Sequence, residues 1–117
     1  MCIRDRNGTG NWYYAEYSWF RVLSEAESYT LIVDGFSGNV STNAFGRDHY
    51  AEKFSTIERD NDRSSYDNCA ARIGAGFWWQ DCGYCHVNGA SSIRRFYWYR
   101  LPGSHHLQLS RMWLQCK

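Results

Sequence analysis

Two stretches of this chain bring together side chains able to do chemistry. Asp60-Asn61-Asp62 sets two carboxylates two residues apart, with Glu58 two before and Ser64 two after. In an irregular loop that alternation turns several oxygens toward one point, the donor set a hard cation such as Ca²⁺ takes. The loop is no EF-hand: the sixth position falls on Ser65 where glycine is needed, and the twelfth on Ala71 where glutamate is needed. A solvated acidic turn is the competing reading. The second stretch, Cys82-Gly83-Tyr84-Cys85-His86, satisfies the C-x-x-C-H attachment pattern of c-type haem, with His86 and Met112 as axial ligands. Cys82, Cys85 and His86 with His105 or His106 would make a zinc set instead. Against haem stands the lack of helices to wrap a porphyrin. Against zinc stands the adjacency of His105 and His106, which point apart on a strand. A third reading puts Cys82 in a disulfide.

Two triplets, Asn39-Val40-Ser41 and Asn7-Gly8-Thr9, are acceptors for N-glycosylation. The histidines His49, His86, His105 and His106 have no nucleophile or acid at a recognised spacing, which argues against an enzyme.

The elements that must position these groups are strands and loops. The chain has 117 residues, 44% hydrophobic and 21% charged, enough for one small domain or part of a larger one. A formal charge of +1 argues against a nucleic-acid groove or a polybasic membrane surface. No apolar run approaches the roughly 18 residues that span a bilayer. Aromatic residues at 18%, with ten Gly and one Pro, suit short strands packed by large rings. Five Cys point to an oxidising compartment or a metal or haem site.

Residues 12–22 read as a strand with imperfect alternation, residues 24–28 as a polar turn, and residues 29–33 as a β-branched strand ended by Asp34-Gly35. Residues 35–50 and 55–68 read as loop. Residues 96–100 and 107–114 read as two further strands joined by a turn around Pro102-Gly103. No helix of convincing period appears. Residues 1–6 resemble a translated sequencing-adapter end, so residues 1–10 are set apart as adapter-derived or disordered.

Phe54-Ser55-Thr56, Asp60-Asn61-Asp62, Asn68-Cys69-Ala70, Gly76-Phe77-Trp78-Trp79, Cys82 and Asn88-Gly89 follow one another in the order F-S-T-x-D-x-D-N-D, N-C-A, G-x-W-W, C, L-N-G. This series resembles the fibrinogen C-terminal domain family. Upstream, residues 14–20 and 24–29 are similar to its Y-A-x-Y-x-x-F and S-E-A-x-x-Y runs, and the likeness covers about residues 11–115. Residues 11–117 therefore resemble the C-terminal half of such a domain. The fold implied is α+β, a partial domain of mostly antiparallel strands and long ordered loops.

The resemblance implies a disulfide between Cys69 and Cys82. It also implies calcium on the Asp60 and Asp62 carboxylates with the Ser64 and Tyr66 carbonyls. The run from Asp62 to Cys69 is one residue longer than the family pattern, which brings in Ser65 and Asp67 as substitutes. Lectin-like members bind acetyl groups beside the second cysteine, where the preceding peptide is often cis. Here that maps the pocket to Trp79, Asp81, Cys82, Gly83, Tyr84 and Tyr97. Two departures bear on it: Gly83 replaces a frequent His, and the connection from Gly89 to Phe96 is short. The implied protein is secreted and non-catalytic, and the Asn39 triplet makes that residue the expected glycosylation site. Its partner is a glycan or an extracellular protein receptor, with oligomers formed through upstream regions.

Overall fold

The structure, a computed structural model, describes residues 1–7, 9–83, 85–88, 97–99 and 107–115. Its main sheet has four antiparallel strands in the order β3-β2-β1-β6. They are β1 (Cys2–Asn7), β2 (Trp12–Val22), β3 (Leu31–Gly38) and β6 (Leu107–Trp113). A small ladder pairs β4 (Cys85–His86) with β5 (Tyr97–Trp98). Two short helices, α1 (Ala44–His49) and α2 (Cys69–Ile73), complete an α+β fold. Among the described residues, no helix is long and apolar enough to cross a membrane.

Residues 2–7, set apart in the sequence, are an inner strand. Ile3 lies opposite Ala15 of β2 on one side and Met112 of β6 on the other. Ile3, Asp5 and Asn7 turn inward while Arg4 is exposed, so a period of two places a carboxylate and an amide in the core. Burial pushes the Asp5 carboxyl up to about 6, and Ser110 pulls it part of the way back.

The imperfect alternation of β2 has a structural cause. Ala15 and Tyr17 face the core, but further along Phe20 does. In β3 the inward positions shift from Leu31 and Val33 to Phe36. Both shifts flank Gly35, whose φ is +71° and where a Cβ would collide with the Ser18 hydroxyl. The pair kinks there, and each strand changes the parity it presents inward.

Helix α1 falls within the 35–50 stretch expected as loop, and α2 follows directly on the 55–68 stretch. Asn43 caps α1, its Oδ1 accepting from Gly46 N at 3.0 Å and from the Tyr17 hydroxyl at 2.8 Å. Helices of five or six residues carry too little periodicity to show in a sequence. Under the sheet, Phe45, Phe77, Trp79, Trp98, Leu31 and Ile73 are fully buried. Phe45 and Phe77 meet edge to face with ring centroids 5.9 Å apart, an arrangement aromatic quadrupoles favour.

Candidate functional site

The site is built on residues 52–88. Ser55 and Phe77 exchange backbone hydrogen bonds of 2.9 and 3.1 Å, which closes the neck of the segment. Asn61 turns inward and fastens the acidic loop to that neck. Its N–H donates to Ser55 Oγ at 3.0 Å and its Nδ2 donates to the Phe54 carbonyl at 2.9 Å. The carboxylates on either side are thereby left on the outer surface of the loop, with Asp60 exposed and Asp62 half-buried.

Asp62 ties the loop to α2. Its Oδ1 accepts from Ser64 N at 2.9 Å and its Oδ2 from Cys69 N at 2.8 Å, while Asp60 Oδ1 accepts from Asp62 N at 3.2 Å. Burial chiefly raises the Asp62 pKa and the neighbouring Asp60 adds to it, against the two backbone N–H groups. Asn68 caps α2, accepting from Ala71 N at 2.9 Å, and donates to the Ile57 carbonyl at 3.1 Å. Arg63 clamps the loop from the other side. Its backbone N–H donates to the Gln80 carbonyl at 2.7 Å, and its guanidinium pairs with buried Glu52 at 2.9 Å. Ser64 is half-buried and Tyr66 almost fully exposed, while Asp67 pairs with Arg72 at 3.3 Å.

Cys69 and Cys82 form a disulfide, which joins α2 to the end of the segment. This rules out the haem reading, because a thioether needs the Cys82 sulfur that the disulfide uses. The zinc set loses the same ligand. Cys85 is unbridged and buried with His86 in β4. His105, His106 and Cys116 lie outside the described residues. Among the described residues, no three His, Cys, Asp or Glu side chains converge as a metal cage, so the acidic loop offers two carboxylates.

The peptide before Cys82 is trans, contrary to the expected cis bond. Left-handed backbone instead occupies Cys82, at φ +58°, and Gly83, at φ +51°. Such a conformation is strained for cysteine and easy for glycine. Gly83 is required for a second reason: a Cβ there would stand 3.0 Å from His49 Nε2, with the imidazole filling the room.

His49 is fully buried among Phe45, Phe77 and Trp79. Its Nδ1 lies 2.6 Å from the Trp78 carbonyl. Burial lowers its pKa to about 4, with the Trp78 hydrogen bond acting the other way.

Of the expected pocket residues, Asp81, Cys82 and Gly83 form one turn, with Asp81 exposed, Gly83 half-buried and Cys82 buried. Trp79 points into the core, its Nε1 donating to the Ala75 carbonyl at 3.1 Å. Tyr84 and the side chain of Tyr97 lie outside the described residues, as does the 89–96 connection.

The family model of the fibrinogen beta and gamma chains, C-terminal globular domain, matches residues 1–115. Fibrinogen-like protein A of Apostichopus parvimensis is 36% identical over an alignment of 104 residues that covers 83% of this chain and 36% of the relative. Angiopoietin-related protein 7 of Homo sapiens is 37% identical over 100 residues, 86% of this chain and 26% of the relative. The fibrinogen-like globe domain of human ANGPTL2 superposes with a TM-score of 0.75 at 26% identity, covering 93% of this chain and 54% of that one. The chain thus spans about a third or less of those two curated relatives and about half of the solved globe domain.

Proposed function

The chain belongs to the fibrinogen C-terminal domain family, and from that premise we propose that it acts as an extracellular, calcium-stabilised recognition module that binds a protein partner without catalysis. The observation that carries this reading is the surface at Asp81-Cys82-Gly83. The disulfide, a left-handed turn and the His49 ring beneath it hold that surface in shape, while Trp79 is withdrawn into the core. An exposed carboxylate on a turn held in shape suits the polar contacts of a protein partner. The disulfide fits an oxidising, extracellular setting.

Calcium fits the acidic loop. Two carboxylates whose like charges oppose each other, at a point where Asp60 raises the Asp62 pKa, gain from a divalent cation beside them. Asp60 and Asp62 hold the ion in this reading, with the Ser64 and Tyr66 carbonyls and waters completing its shell. The ion supplies stability and fixes the loop against the Cys69 turn. It takes no part in chemistry.

The test presents the oxidised chain in calcium to a panel of receptor ectodomains and to an array of acetylated glycans. The reading expects saturable binding to a protein, weakened by Asp81→Lys. Binding confined to acetylated glycans overturns the choice of partner.

A further inference from the structure

We infer that the folded, secreted chain carries a single N-linked glycan, on Asn39, and that the Asn7 triplet stays unmodified. The inference rests on the extracellular reading only for its biological setting. Its physical basis is the contrast between two acceptor triplets that are equivalent as sequence.

Asn7 is fully buried at the end of β1. Its Oδ1 accepts from Thr9 N at 3.1 Å, Thr9 Oγ1 at 2.8 Å and Asn11 N at 2.9 Å. Backbone bonds Asn7 N to Asn11 O and Gly10 N to Asn7 O, both 3.0 Å, close the same turn. A sugar on its Nδ2 would pull this amide out of the core and undo the β1–β2 connection, because a glycan must sit in water.

Asn39 is exposed at the end of β3, and so is Ser41 of its triplet. Its backbone N–H donates to the Tyr14 carbonyl at 3.1 Å, and its Oδ1 accepts from Tyr14 N at 2.7 Å. The turn is firm because Gly38 lies so close to Tyr14 that a Cβ would collide with its carbonyl oxygen. With the amide oxygen held, no hydrogen bond between described residues engages Nδ2. A glycosidic link to Nδ2 keeps Oδ1 as an acceptor, so the modified residue retains its bond to Tyr14.

The donor is a polyprenyl-pyrophosphate-linked oligosaccharide. Asn39 Nδ2 bonds to the anomeric C1 of its first N-acetylglucosamine, and the C1–O bond to pyrophosphate breaks. Nδ2 gives up one proton and polyprenyl pyrophosphate leaves, with no change of oxidation state.

The experiment fuses a secretion leader to the full chain, expresses it in eukaryotic cells and maps the secreted protein by mass spectrometry before and after peptide N-glycosidase. The expected result is one glycan, with the enzyme converting Asn39 to aspartate and leaving Asn7 as asparagine. Ser41→Ala, which spares the Asn39–Tyr14 bond, removes the glycan. Thr9→Ala leaves it. Secreted wild-type chain with no glycan, or with one on Asn7, overturns the inference. The wild-type map decides even if a variant fails to fold.

Discussion

The four-stranded sheet and the segment at residues 52–88 bury carboxyl groups on different terms. In the sheet, Asp5 sits 1% exposed on a central strand with its Oδ1 unpartnered among the described residues, and its carboxyl is pushed up to about 6. In the segment, buried Glu52 has an arginine, Ser55 has Asn61, and Asp62 has two backbone N–H groups. Buried polar groups with partners fix a conformation, whereas those without one cost stability. The difference teaches that the irregular segment is held by specific bonds and a disulfide. The sheet is held by strand pairing that tolerates a poorly matched carboxylate. A recognition surface belongs on the first kind of scaffold.

The largest test of that contrast is Trp79→Ala, which removes the ring packed between His49 and Phe77 and is expected to cost roughly 3–5 kcal/mol in denaturant unfolding. A loss below 1 kcal/mol would mean the segment is not anchored by its core.

Reduction of the Cys69–Cys82 disulfide comes next, at about 3 kcal/mol in the chain-entropy picture for a 13-residue separation. Hydrogen exchange sharpens the comparison. Amides of residues 60–82 should lose protection on reduction while those of β1 and β2 keep theirs, and uniform loss would erase the distinction between regions.

Titration separates the regions by sign. His49 is lowered from 6.5 to about 4, so its contribution is full above pH 6.5 and falls away as pH drops toward 4, by about 3 kcal/mol. Asp5 is raised from 3.8 to about 6, so its contribution is full below 3.8 and is lost as pH rises through 6, by a similar amount. The two oppose each other between pH 4 and 6. Asp5→Asn should therefore make stability climb more steeply with pH over that range than in the wild type, read from urea midpoints. An unchanged slope would show that Asp5 does not titrate as its burial demands.

The smallest effect is Asn68→Ala, which removes the α2 cap and should cost about 1 kcal/mol.

Much of this arrangement was legible in the residues. The strand at 12–22 and the β-branched start of β3 showed as aromatic and β-branched runs, whereas β3 continues past the expected end at Asp34-Gly35 to Gly38. The Cys69–Cys82 pairing followed from the family series. β1 was not read as a strand, because residues 1–6 resemble a translated adapter end and its three charged residues hide the inward positions Ile3, Asp5 and Asn7. The kink at Gly35 blurred the period of β2. Trp78 and Trp79 read alike, yet Trp78 packs against Phe20 and Phe54 while Trp79 goes to the core, a choice made by tertiary packing. The role of His49 needed the backbone of Cys82 and Gly83, which no sequence pattern specifies.

The central claim is that the segment is a calcium-stabilised scaffold for recognition. Thermal unfolding of the oxidised chain in calcium and in chelator, for the wild type and for Asp60→Asn, tests it most directly. Asp60 is the better choice because Asp62 also holds Cys69 N. The account predicts a melting temperature that rises with calcium in the wild type and a rise that disappears in Asp60→Asn. Equal melting temperatures in calcium and chelator, or a rise that survives the substitution, would contradict it.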